Sequence, residues 1–449
     1  MTQVLYIVAF AVALTIALTI TGGAGAILVC VVLATAIGIL INLSKVERGF
    51  LLRIFLAGLI IRIALGAILF QIGRTNFFGP DSTTYDSFGF TIANYWLNAP
   101  FYKSFPVINP NNLGMSYVVA VIYYCIGRNP LAIQFFNGVV GAATAPVIFL
   151  CTYHIFRNLR AARLAALLVV FFPSLVLWSS LGLKDAAVVF LLSLTMLATL
   201  KLTDRLELKF IVLLLISLIG LISMRFYIFY MMLIVVGGSF VIGTGTRNMT
   251  GLVRNFVLLI IVGLSLTYLG VLRNAPKDLE TYGNLQKVQE ARYDAQRANS
   301  GFGKEVDVST TSGALSALPL GLLYVLFAPF PWQFGSLQQA FTLPEMLVWW
   351  ASFPLLLMGM KFSIKHKLRE TVPVFMFTIL TTLVYSLFQG NVGTAYRQRA
   401  QLLIFYFIFI AVGFVVVKEK RENRPGSARP AHYSSILGLE QRALTGTGE

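Results

Sequence analysis

Between Arg399 and Lys418 the chain reads Ala400-Gln401-Leu402-Leu403-Ile404-Phe405-Tyr406-Phe407-Ile408-Phe409-Ile410-Ala411-Val412-Gly413-Phe414-Val415-Val416-Val417. No residue in this run carries a charge. Wound as a helix it is about 27 Å long at 1.5 Å per residue, close to the roughly 30 Å hydrocarbon core of a bilayer. Lys418-Glu419-Lys420-Arg421 follows at once, the basic flank that marks a cytoplasmic helix end. This stretch reads as a transmembrane helix, and the rest of the chain repeats its pattern. Of 449 residues 57% are hydrophobic and only 12% charged. A soluble chain is about a quarter charged, so the composition excludes a nucleic-acid enzyme, a disulfide scaffold and a secreted domain.

Apolar runs long enough to cross the bilayer stand at about 4–20, 24–42, 52–71, 130–152, 164–181, 186–203, 209–224, 226–243, 255–272, 344–361, 371–389 and 399–417. The first lacks a basic leader and is followed by a second span after Thr21-Gly22-Gly23, so it reads as a retained helix and not a signal peptide. Two further stretches are ambiguous: 114–127 is short, and 315–331 is interrupted by Pro319, Pro329 and Pro331. Treating both as partial segments places 20 of the 35 Lys and Arg in loops on one face. Letting both cross would move eight of those cations to the other side. The positive-inside rule therefore favours an all-α polytopic protein with about 12 transmembrane helices, two partial or juxtamembrane segments, and both termini inside.

Residues 1–417 read as one transmembrane domain. Its long outer loops are 72–113 and 273–314, the second polar and helical around Leu285–Ala298. The tail 418–449 is basic, then Gly/Ser/Pro-rich, with too few apolar residues to fold alone. No internal repeat is visible. Cys30, Cys125 and Cys151 sit in apolar runs without metal spacing and read as packing residues.

With 18 acids in the chain, each can be placed. Most fall in the inner loops, the tail or the 273–314 loop. Asp81, Asp86, Asp185 and Glu345 remain, all near the outer membrane face, where a carboxylate is costly unless paired or functional. The turn Gly79-Pro80-Asp81-Ser82-Thr83-Thr84-Tyr85-Asp86 follows the third span and opens a helix over about 82–97. Asp81 could cap that helix, which would lie along the interface.

The Asp-x-x-x-Tyr-Asp pattern after an N-terminal span resembles the first outer loop of the GT-C glycosyltransferases. Those integral-membrane enzymes use polyprenyl-phosphate-linked sugars and include protein mannosyltransferases, oligosaccharyltransferases and aminoarabinose transferases. Pro110-Asn111-Asn112-Leu113-Gly114, Tyr123-Tyr124-Cys125-Ile126-Gly127, and Pro173-Ser174-Leu175-Val176-Leu177-Trp178-Ser179-Ser180 leading into Lys184-Asp185 extend the resemblance over about residues 50–205. It implies a GT-C-like fold in a bacterial inner membrane with a periplasmic active site. Asp81 would take the catalytic acid's place, with Asp86 and Asp185 as further catalytic carboxylates. The donor would be a polyprenyl-phosphate-linked sugar, and the acceptor a lipid-linked glycan, a cell-envelope glycan or a protein.

The chemistry fits the resemblance. Transfer needs a base for the acceptor hydroxyl and cations for the leaving phosphate. Lys184, Arg225, Arg397 and Arg399 supply cations on the outer face. The latter two lie in Gly390-Asn391-Val392-Gly393-Thr394-Ala395-Tyr396-Arg397-Gln398-Arg399, whose glycines free backbone N–H groups. Headgroup anchoring is the competing reading for the arginine pair, and a neighbouring salt pair for Lys184-Asp185. Arg62, deep in the third span, is a functional residue or a structural partner. His154, His366 and His432 lie on the inner side. A metal, if used, would fall to Asp81, Asp86 and Asp185 and suit Mg²⁺ or Mn²⁺. Two rivals stand: an O-antigen or exopolysaccharide polymerase leaning on outer arginines, and a lipid-linked oligosaccharide flippase or other transporter. A flippase needs charges through many spans, and only Arg62 lies deep.

Overall fold

The computed structural model describes residues 2–75, 79–102, 113–242, 249–268, 270–271, 284–297, 300–303, 305–333, 342–422 and 436. Among these the chain is helical, with no strand beyond an isolated bridge between Gly301 and Asn391. The helices are α1 (Thr2–Thr19), α2 (Gly23–Asn42), α3 (Arg48–Gln71), α4 (Asp81–Trp96), α5 (Gly114–Ile126), α6 (Pro130–Phe156), α7 (Leu159–Phe171), α8 (Pro173–Ser179) and α9 (Asp185–Asp204). They continue with α10 (Leu208–Met224), α11 (Phe226–Ile242), α12 (Met249–Tyr268), α13 (Leu285–Gln296), α14 (Thr311–Phe327), α15 (Leu343–His366), α16 (Leu368–Phe388) and α17 (Val392–Glu422).

Twelve helices or helix pairs stand where spans were expected. Seven of them, or eight with α7 and α8 taken together, are long and apolar enough to cross a membrane. The others are apolar but shorter. The partial segment α5 has 13 residues, about 20 Å at 1.5 Å per residue, well under a bilayer core. The helix expected over about 82–97 falls at Asp81–Trp96, and the one expected around Leu285–Ala298 falls at Leu285–Gln296.

Two expectations change. The span at 164–181 is a bent pair, α7 and α8, meeting at 54°. Pro173 has no N–H to continue the ladder, and Phe172 before it is extended at φ −66°, ψ 124°. The last span starts seven residues earlier than read, so Arg397 and Arg399 stand on helix α17 and not in a glycine-rich loop. At its other end α17 runs to Glu422, taking in the first residues of the expected disordered tail. Ile436 is buried, with its N–H on Glu419 Oε1 at 3.0 Å. The rest of the tail lies outside the described residues.

The chain divides into two compact units. One comprises 1–153, 159–197 and 217–230; the other comprises 154–158, 198–216 and 231–449. In the first, α3 packs on α7 through Gly58, and α6 packs on α8 through Gly141. A Cβ on Gly58 would overlap Val170, and one on Gly141 would overlap Ser179. The slot so formed holds Arg62, which is 1% exposed. Its Nε donates to Ser179 Oγ at 2.8 Å, and its Nη1 donates to Val170 O at 2.9 Å and Gly58 O at 3.1 Å. Val170 O is a carbonyl of α7's last turn, so Arg62 caps the helix end left open by the bend at Pro173. Its role is that of the structural partner.

In the second unit α15 and α17 cross at Gly359 and Gly413. A Cβ on Gly359 would overlap the Phe409 carbonyl, and one on Gly413 the Leu355 carbonyl. Small residues let helix backbones touch in lipid, where apolar side chains gain little by meeting one another. Cys30 and Cys151 are buried packing residues as read, whereas Cys125 is exposed.

Candidate functional site

The two acidic segments singled out from the sequence pack against each other within the first unit. A Cβ on Gly79 would sit 3.0 Å from Leu183 Cδ1, and one on Gly182 would sit 3.4 Å from Ser82 Cβ. Lys184 Nζ stands 6.0 Å from the centre of the Tyr85 ring, within cation–π range. The turn before α4 therefore lies along the loop that joins α8 to α9. That loop is held from behind by Asn137 on α6, whose Nδ2 donates to Leu181 O at 2.6 Å and to Leu183 O at 2.7 Å.

Asp81 is exposed and is the first residue of α4; the capping position belongs to Pro80, which offers no side-chain acceptor. The turn is closed instead by Ser82 Oγ donating to Gly79 O at 2.7 Å and Thr83 Oγ1 donating to Pro80 O at 2.8 Å. A carboxylate in a helix's first turn is favoured by the macrodipole. Its side chain remains accessible to solvent.

Asp185 is different. It is 1% exposed and pairs with Arg225, Nη2 to Oδ1 at 2.9 Å, with Arg225 itself 6% exposed. The Asp185–Arg225 pair joins the start of α9 to the end of α10. Lys184 is half-buried over Tyr85. Asp86 lies on the same helix as Asp81 but turns to other partners. It accepts from the Tyr123 hydroxyl, and Arg128 Nη2 reaches its Oδ2 at 2.5 Å. The hydrogen bond to Asp86 holds the Arg128 guanidinium above its ordinary pKa. Arg128 also covers the Phe90 ring at 4.8 Å.

Among the described residues no three His, Cys, Asp or Glu side chains gather as a metal-holding group. Asp86 and Asp185, two of the three carboxylates considered for Mg²⁺ or Mn²⁺, each face an arginine.

In the second unit Arg399 is buried. Its Nε donates to Val325 O at 2.7 Å, its Nη2 donates to Tyr324 O at 3.4 Å and also reaches Ala328 O, and its Nη1 lies 3.3 Å from Met346 Sδ. All three nitrogens meet protein acceptors at the C-terminal end of α14 and on α15, so the guanidinium serves as a clamp. Arg397 is half-buried. Glu345, the fourth acid singled out in the sequence, is buried in the first turn of α15.

Sequence reading passed over Arg292, because the 273–314 loop holds acids in number to match its cations. The structure buries it on α13. Its Nη1 donates to Leu387 O at 3.0 Å, while Nε and Nη2 meet no hydrogen-bond partner among the described residues. Burial lowers its pKa from the ordinary value. Gly303, at φ +65°, makes room for it: a Cβ there would stand 2.8 Å from Nη2. The Arg292 guanidinium lies 5.7 Å from the centre of the Phe302 ring.

No protein-family model matches the chain, and no curated protein sequence matches it. Among solved structures it is similar to that of ArnT from Cupriavidus metallidurans bound to undecaprenyl phosphate, at 12% identity and a TM-score of 0.47, over 75% of this chain and 55% of that one. It is also similar to the archaeal oligosaccharyltransferase AglB from Archaeoglobus fulgidus in complex with an inhibitory peptide and a dolichol-phosphate, at 14% identity and a TM-score of 0.47, over 89% of this chain and 55% of that one. The chain thus matches about half the length of each.

Proposed function

We propose that the protein is a membrane glycosyltransferase that moves a sugar from a polyprenyl-phosphate donor to a lipid-linked glycan, a cell-envelope glycan or a protein. The observation that carries this reading is the packing of the Gly79–Tyr85 turn along the Gly182–Asp185 loop. It sets an accessible carboxylate and a half-buried ammonium on adjoining segments.

Asp81 acts as general base. As the acceptor oxygen bonds to the sugar's anomeric carbon, the carboxylate takes the hydroxyl proton. The bond from that carbon to the phosphate oxygen breaks, and its electron pair leaves with the phosphate. Lys184 answers the charge that develops there. The buried Asp185–Arg225 pair is a positioning device: it fixes the start of α9 and so fixes Lys184. Asp86 ties α4 to Arg128 and Tyr123, which sets the orientation of the helix that Asp81 opens. Arg399, in the second unit, is the clamp described above.

The test is sugar transfer from a polyprenyl-phosphate donor in proteoliposomes, with parent and variant matched for amount. Asp81→Asn keeps the side chain's size but cannot take the proton. A rate loss of about 10²–10⁴-fold is expected for a missing general base. A variant holding more than about a tenth of the parent rate, well short of that loss, would remove Asp81 from the role.

A further inference from the structure

A cavity of about 680 Å³ opens at the turn between α2 and α3, away from the Asp81 segment in sequence and lined by Lys45, Glu47, Arg48, Gly49, Phe50 and Arg53 among others. This volume is within the roughly 300–1,000 Å³ of small-ligand sites. Its charges do not cancel. Glu47 is its one acid, and Arg163 already pairs with it at 2.6 Å while lying 5.6 Å from the centre of the Phe50 ring. Among the described residues no carboxylate pairs with Lys45, Arg48 or Arg53; Arg53 Nε donates to Gly49 O at 2.9 Å. Three cations therefore line one space, and among the described residues none of them is paired with a carboxylate.

The surroundings say what would fill it. The end of α2 that leads into the cavity exposes Ile39, Leu40 and Leu43 at 57%, 62% and 73%. On a membrane helix these are lipid-facing residues, so the basic cavity continues an apolar stripe. A ligand that fits both parts has an anionic head and hydrocarbon tails. We propose that this cavity holds the phosphate-bearing headgroup of an anionic phospholipid, with its acyl chains along α2. Lys and Arg at a membrane face attract such lipids, and basic pockets between helices are a recurring form of the site. The proposal is independent of the transferase reading.

The experiment uses the full chain, purified in detergent and titrated with phosphatidylglycerol, phosphatidylcholine or inorganic phosphate, with bound lipid counted by native mass spectrometry. The triple variant Lys45→Gln, Arg48→Gln, Arg53→Gln should weaken phosphatidylglycerol binding on the order of a hundredfold, three charges at about fivefold each. Phosphatidylcholine binding should not change. A control with equal charge removal, Lys361→Gln, Lys365→Gln, Arg369→Gln, should leave phosphatidylglycerol binding near parent. Gly49→Phe tests the space without touching a charge. A Cβ on Gly49 meets nothing within 4 Å, so the ring can enter the cavity and should displace the lipid while the melting temperature holds. Equal loss in the triple variant and the control would reduce the effect to general surface charge and overturn the proposal. Full binding by Gly49→Phe would overturn it too. Displacement of phosphatidylglycerol by millimolar inorganic phosphate would show a free-anion site and overturn the lipid assignment.

Discussion

Removing one side of the Asp185–Arg225 pair should cost far more than removing both. Both side chains are under a tenth exposed and meet at 2.9 Å, so solvent does little to screen them. Asp185→Ala would leave the Arg225 guanidinium buried without that carboxylate, and Arg225→Ala would leave the carboxylate. Truncating one partner of a buried pair typically costs about 3–5 kcal/mol, whereas replacing both with well-packed apolar residues is often neutral or stabilising. The double variant Asp185→Leu, Arg225→Met should therefore lie near the parent in stability, with a coupling energy of about 3 kcal/mol or more between the sites. Unfolding free energies of the four proteins, measured in one detergent, give that coupling directly. The double variant serves a second purpose, because it restores the fold without restoring the pair. If the pair positions Lys184, the double variant stays folded and turns over donor slowly. Single variants costing under about 1 kcal/mol, the range of exposed pairs, would refute the reasoning, as would strictly additive losses.

Arg62→Ala should destabilise on the order of 3 kcal/mol, since it removes a charged donor from buried acceptors on α3, α7 and α8; thermal melting in detergent would show it. Gly413→Leu forces a side chain into the backbone contact between α15 and α17 and should cost about 1–3 kcal/mol or more, visible as reduced yield of folded protein. Asp86→Asn should cost under about 1 kcal/mol, because Arg128 is 49% exposed and surface ion pairs contribute little; the same melting assay checks it.

Apolar run length carried most of the fold. It located the helices because a membrane admits backbone only when each N–H and C=O is satisfied within its own helix. It could not foresee the bend at Pro173, because a proline in a helix kinks or breaks it according to what its neighbours offer the freed carbonyls. Here Arg62 offers donors from 108 residues away in sequence. Charge placement singled out Asp81, Lys184, Asp185 and Arg225 but not the Asp185–Arg225 pairing. Lys184-Asp185 are adjacent in sequence, yet the carboxylate turns to an arginine 40 residues on. Arg292 was illegible for a related reason. Net charge in a loop says nothing about which member is buried, and that depends on Gly303 giving it space. Arg399 looked like a phosphate ligand because the turn before it is glycine-rich; an early helix start carried it to the carbonyls of α14.

The crossing of α15 and α17 has a mechanical meaning. Where Gly359 and Gly413 bring backbone against backbone, no layer of side chains remains that could change rotamer or be compressed. Packed interiors respond to load by switching between discrete arrangements, not by yielding gradually. The two helices form a spar. Arg399, rooted in one of them, fastens the end of α14 to it, so any stroke of the α14 end within this unit must pull on the spar as a whole or break the clamp first.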